Sequence, residues 1–185
     1  MRIPLTIMGI CVAFSVVVLS VNVPNTYFLP INVSYKSLTD PVKKQVDCLA
    51  ENIYFEAGHE SDVGKVAVAL VTLNRLASGK YAPTICSVVH QKSNNVCQFS
   101  WVCEQANLNK ALTIRDTLLY NSIREIAVRV LMNYEFIDDV TEGATYYHAD
   151  YVNPGWNLPK TTKIGRHIFY KKQSDLNDLT KEIKL

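Results

Sequence analysis

The chain has 185 residues, 48% of them hydrophobic and 19% charged, with a formal net charge of +2. That length fits one domain plus an appendage. The apolar share excludes a disordered chain, seven Gly and seven Pro exclude a collagen-like or linker-like one, and the near-neutral charge gives no footing for nucleic-acid binding.

The apolar residues are unevenly spread. From Ile3 to Val23 no side chain is charged, and 15 of those 21 residues are apolar. About 20 such residues cross a bilayer. One positive residue, Arg2, precedes the run, and Val18-Leu19-Ser20 offers a passable cleavage site. Residues 1–23 therefore read as a signal peptide or a transmembrane anchor. Cys11 lacks the small residue that precedes a lipidated cysteine. Residues 24–39 read as a polar, Pro-broken linker, 40–172 as the folded domain and 173–185 as a polar tail.

Asp40 and Pro41 open the first helix, Asp as N-cap and Pro at its first position. Val42, Val46, Leu49, Ala50, Ile53 and Ala57 follow at helical spacing, and Gly58 is a stop. Ser61-Asp62 caps a second helix. Val66 to Leu73 is apolar on nearly every side, which predicts a central helix over a buried strand. Pro83 and Thr84 open a short helix ending near His90. Lys92 to Asn107 reads as loops or a small hairpin, and Asp116 to Tyr134 as a long helix. Tyr146-Tyr147-His148 and the run Ile164 to Tyr170 are strand-like. Helices with a minor β element make an α+β plan, with a cleft between the two parts.

Outside the apolar run lie four cysteines, Cys48, Cys86, Cys97 and Cys103. In an exported chain they make two disulfides, with three connectivities open. Cys97–Cys103, closing a short loop, and Cys48–Cys86 are favoured. A zinc site recruiting His90 lacks a compact ligand pair. His59-Glu60 is not H-E-x-x-H, because Val63 stands where the second His would be. His148 and His167 read as structural histidines rather than a metal pair. No metal and no cofactor is expected.

Glu56 ends the first helix beside Tyr54 and Phe55. Aromatic surface strips water from a carboxyl group and raises its pKa, and the negative helix C-terminus pushes the same way. That is the setting of a general acid. By composition alone, a solvated glutamate at a helix end is the commoner reading. Glu60 lies one helical turn on, but Gly58 interrupts, so a two-carboxylate mechanism is not established. Gln98-Phe99-Ser100-Trp101, Tyr146-Tyr147-His148 and Trp156 combine flat apolar faces with hydrogen-bonding groups, which suits sugar rings as well as a core.

The blocks together resemble the SleB-type cell wall hydrolases, the group that includes spore cortex-lytic enzymes. Cys48 to Ala57 resembles their opening block. Gly64 to Ala69 with Leu73-Asn74-Arg75 is similar to their central helix. Pro83 to Val89 with Gln91, Cys97 to Trp101, Gly143 to His148 with Pro154 and Trp156, and Ile164 to Phe169 follow in order. The resemblance covers roughly Cys48 to Tyr170. It implies a lysozyme-like α+β fold, mainly helical, and cleavage of peptidoglycan glycan strands. The single terminal apolar run puts the domain outside the cytoplasmic membrane and suits a bacterial envelope enzyme or a phage endolysin. The resemblance also implies Glu56 as the catalytic acid. The expected substrate-binding set is Gln98, Phe99, Ser100, Trp101, Tyr146, His148 and Trp156. The expected supporting set is Glu60, Asn74, Arg75 and Arg166. Expected partners are peptidoglycan and, through the N-terminal segment, a membrane; nucleic acid is not one, and the chain is expected to be a monomer. The family follows its Glu-Ala with Arg-Gly-Glu, whereas Gly58-His59-Glu60 stands here. That departure motivates the alternative of a non-catalytic wall-binding domain.

Overall fold

The computed structural model describes residues 31–104, 109, 113–114 and 117–172. The apolar run 3–23, the tail 173–185 and the expected helix start at Asp116 lie outside the described residues. Among the described residues, no helix is long and apolar enough to cross a membrane.

Helix α1 spans Asp40–Ala57. Its cap is Thr39, with Pro41 in the first turn and Asp40 already inside. The expected Asp40 cap is thus off by one residue, and Asp40 instead complements the positive helix start. Val46, Leu49, Ala50, Ile53 and Ala57 form its buried face. Helix α2, Asp62–Ala77, is capped by Ser61, whose hydroxyl accepts from the Gly64 amide. Every residue from Ala67 to Arg75 is buried. It touches α1, the short helix α3 (Ile85–Val89), the long helix α4 (Leu118–Met132) and the sheet, which enclose its middle, Ala67 to Arg75, on every side. That central position explains the unbroken Val-Ala-Val-Ala-Leu-Val run. Helix α3 begins with a capping box between Thr84 and Ser87.

Strands β1 (Lys92–Ser93) and β2 (Val96–Cys97) form a hairpin. Its two turn residues, Asn94 and Asn95, both have positive φ, as the twist-matching two-residue turn requires. The second sheet is antiparallel in the order β3-β5-β4: β3 Tyr146–Ala149, β4 Lys160–Ile164 and β5 His167–Tyr170. Phe169 pins it to the helices by packing on Ala67, Val71 and Ala144. The architecture is the expected helix-dominated α+β plan.

Both favoured disulfides form. Cys48–Cys86 joins α1 to α3, and Cys97–Cys103 closes the loop after β2.

Candidate active site

Glu56 occupies the last turn of α1, on the side facing the second sheet. The hydroxyl of Tyr147, on β3, donates to its Oε2 at 2.9 Å. Arg75 of α2 supplies the nearby positive charge. Its guanidinium is 5% exposed, lies 4.8 Å over the Phe99 ring and 5.4 Å over the Tyr81 ring, and donates from Nε to the Thr145 carbonyl at 2.8 Å. Burial raises the Glu56 pKa above the usual carboxylate range; the Tyr147 bond and the Arg75 charge pull it down without cancelling the rise. The phenol of Tyr147 is pushed well above its own usual range, by burial first and then by the Glu56 charge. Tyr147 therefore stays protonated and remains the donor, and Oε1 is left to hold the carboxyl proton.

A cleft of about 590 Å³ opens over this pair. Gln98, Phe99, Ser100, Trp101, His148 and Arg75 line it, as do Tyr147 and His167. Phe99 and Trp101 are only 2% and 3% exposed, so they form its floor rather than free stacking platforms. Trp101 stacks on Phe55 with centroids 4.5 Å apart and donates from Nε1 to Asn52 at 2.9 Å. Asn52 in turn donates to Thr72 of α2 at 3.1 Å, so the cleft floor is tied to both central helices. Glu56 and Glu104 are the carboxylates among the lining residues.

The other expected residues stand elsewhere. Tyr146 projects from the opposite face of β3 to Tyr147, because side chains alternate along a strand. Trp156 meets Tyr146, His148 and Tyr170 edge-on, forming an aromatic cluster on that far face. Neither Tyr146 nor Trp156 lines the cleft. His148 reaches both, its ring nitrogens bonded to the Ala149 carbonyl and the Tyr170 hydroxyl. Asn74 holds the loop before β3 to α2, donating to Asp139 at 2.7 Å and to the Ala144 carbonyl at 3.1 Å, while Tyr134 donates to its carbonyl oxygen at 2.8 Å. Glu60 lies against the β4–β5 turn: a Cβ on Gly165 would collide with its Oε2, and one on Gly64 would come 2.9 Å from its Cβ. It braces the turn and the start of α2, outside the cleft. Arg166 is exposed at that turn, beside Asp150 at 3.7 Å.

Two residues of the cleft stood outside the expected sets: Tyr147, named only within an aromatic stretch, and His167, read as a structural histidine. Strand alternation was the available signal, since it puts both on the Phe169 face. The Gly58 departure also has a local cause. A Cβ there would sit 2.5 Å from the Tyr54 carbonyl, so a larger residue at 58 requires the last turn of α1 to shift. His59 is exposed and does not line the cleft. Among the described residues, no group of three or more His, Cys, Asp or Glu is placed to hold a metal.

A family model described as Cell Wall Hydrolase matches residues 59–170, beginning just after Glu56. The spore cortex-lytic enzyme of Halalkalibacterium halodurans is 31% identical over 128 residues, 67% of this chain and 34% of its own length. That of Bacillus cereus is 28% identical over 137 residues, 70% of this chain and 45% of its own length. The chain thus spans less than half of these curated relatives. Among solved structures, the catalytic domain of the germination-specific lytic transglycosylase SleB from Bacillus anthracis superposes with a TM-score of 0.53 at 25% identity. It covers 73% of this chain and 98% of that domain. The catalytic domain of the Bacillus cereus SleB protein gives 0.51, also at 25% identity, covering 70% of this chain and 91% of that one. With a family model matched over more than half its length and the SleB catalytic-domain fold around its cleft, the chain belongs to the Cell Wall Hydrolase family.

Proposed function

We propose that this chain cleaves the glycan strands of peptidoglycan with Glu56 as the catalytic acid. The observation that carries the reading is a desolvated Glu56 carboxyl with one oxygen held by Tyr147 and the other left to a cleft. Its fold likeness to a protein described as a lytic transglycosylase supports the same chemistry.

In that reaction Oε1 of Glu56 gives its proton to the bridging oxygen between muramic acid and glucosamine. The bond from that oxygen to the muramic anomeric carbon breaks. The carboxylate, held by Tyr147 and steadied by the Arg75 charge, then takes the proton of the muramic 6-hydroxyl. That oxygen closes on the anomeric carbon, and a 1,6-anhydro end results. Glu56 is regenerated protonated, so no second carboxylate is used. This fits the placement of Glu60, the carboxylate one turn on in sequence, outside the cleft and against Gly165. Raised proton affinity serves the first step, and the nearby cation serves the second.

The setting follows from the substrate. Residues 1–23, as a signal peptide or anchor, would place the domain on the wall side of the membrane as a monomer, in a bacterial envelope enzyme or a phage endolysin. Purified protein incubated with cell wall, with products read by mass spectrometry, tests the reaction. Anhydro ends are expected; reducing ends alone would make it a hydrolase, and no release of muropeptides would sink the reading. Fractionation of cells producing the full chain, with sequencing of its N-terminus, separates cleavage from anchoring.

A further inference from the structure

His167 faces Ala149 across the β3–β5 ladder, on the face that carries Tyr147 and Phe169. It is 7% exposed and lines the cleft with Glu56. Its ring meets Tyr147 edge-on, with centroids 5.1 Å apart. Its Nδ1 is buried with no hydrogen-bond partner. The reaction above gives this residue nothing to do.

Burial pushes the His167 pKa below the ordinary histidine value, against the pull of Glu60 and Asp150, while His148 adds to the fall. The ring is therefore neutral at neutral pH, with one N–H and one lone pair. A buried orphan donor is rarer than an under-satisfied acceptor. The lone pair thus belongs on Nδ1 and the proton on Nε2, the nitrogen left for the cleft. A neutral donor brings no charge to offset a second anion beside Glu56, which favours an uncharged acceptor oxygen, and the Tyr147 ring against it, with the Phe99 ring in the same cleft lining, favours an apolar group beside that oxygen. An acetamido group supplies both, in its carbonyl and its methyl.

We propose that His167 is a substrate-binding residue whose Nε2 donates to the acetamido carbonyl of an N-acetylated sugar held beside Glu56. The inference rests on reading the cleft as a glycan-strand site. It makes N-acetylation of that sugar a condition of tight binding.

The test measures affinity for a defined oligosaccharide of alternating N-acetylglucosamine and N-acetylmuramic acid, and for its de-N-acetylated counterpart. A Glu56→Gln background keeps the ligand intact. His167→Phe is expected to weaken binding of the acetylated glycan about tenfold, the size of one lost hydrogen bond in a dry site, and to leave the other unchanged. His167→Gln places an amide nitrogen where Nε2 stood and restores the preference; His167→Asn places one at the Nδ1 position and does not. The ratio of the two affinities is insensitive to the fraction of protein folded. Equal losses for both glycans, or rescue by Asn and not by Gln, overturn the assignment. A protein that shows the acetyl preference yet cuts no wall supports this inference and sinks the catalytic reading. Failure of the Glu56→Gln parent to bind either glycan sinks both.

Discussion

The phenolic oxygen of Tyr147 lies 2.9 Å from Oε2 of Glu56, joining the edge strand β3 to the last turn of α1. These residues are 91 positions apart in the chain. One bond therefore sets both which carboxyl oxygen faces the cleft and how far the sheet stands from the helices.

Replacing Glu56 by Gln is expected to lower muropeptide release by at least about a hundredfold, the usual worth of a positioned general acid. Gln keeps the shape and can still accept from Tyr147, so the melting temperature should not fall. Turbidity loss of purified wall, beside circular dichroism on the same sample, checks this. Normal release would end the assignment.

Tyr147→Phe removes the donor but keeps the ring. Hydrogen bonds to a charged group contribute about 1.5–3 kcal/mol, so a loss of roughly tenfold to a hundredfold in kcat/KM is expected. The same bond lowers the Glu56 pKa, so its removal should move the alkaline limb of the rate profile to higher pH. Arg75→Gln should move it the same way, because the Arg75 charge also lowers that pKa. A limb displaced downward in either variant would contradict the geometry.

Stability should carry a matching pH signature. Glu56 binds its proton more tightly in the folded state than in the unfolded one. Its contribution is present below the unfolded carboxylate range and is lost as pH rises through the folded value. Urea unfolding across acid to neutral pH should show this fall in the wild type, and a weaker one in Glu56→Gln.

Asn74→Ala removes three donated contacts, to Asp139, Thr141 and the Ala144 carbonyl, and leaves Tyr134 without its acceptor. Unsatisfied buried partners cost about 1–3 kcal/mol, or roughly 5–10 °C in melting temperature. Activity should fall beyond the unfolded fraction, since this loop leads directly into β3 and Tyr147.

The two disulfides should separate stability from activity. Cys48–Cys86 spans 38 residues and Cys97–Cys103 only 6. Loop-closure entropy gives about 4 kcal/mol for the first and about 2 for the second. Alanine at Cys48 and Cys86 should lower the melting temperature more. Alanine at Cys97 and Cys103 should lower kcat/KM more, because Cys97 lines the cleft.

The local elements were legible in the sequence because their causes are local. The Ser61 cap, the apolar run of α2, the Thr84 start of α3 and the Cys97–Cys103 loop each lie within one stretch, and the number of bridges follows from a count of cysteines. Glu56 was marked by its neighbours Tyr54 and Phe55 and by block order. What surrounds it was not legible. Tyr146 and Tyr147 are adjacent and chemically alike, yet strand alternation sends Tyr147 to the Glu56 carboxyl and Tyr146 to a cluster with Trp156. Phe99 and Trp101 looked equally fit for sugar stacking or for the core, and only packing made them a buried floor. Glu60, one turn from Glu56 in sequence, turns away because the chain breaks at Gly58 and its carboxyl meets Gly165. Short-range pattern carried the helices and the short Cys97–Cys103 loop, and block order pointed to Glu56, whereas the pairing of Cys48 with Cys86 was one of three connectivities left open. Tertiary structure alone decided which oxygen of that acid is held and which groups share its cleft, because those depend on the side to which each distant strand turns its side chains.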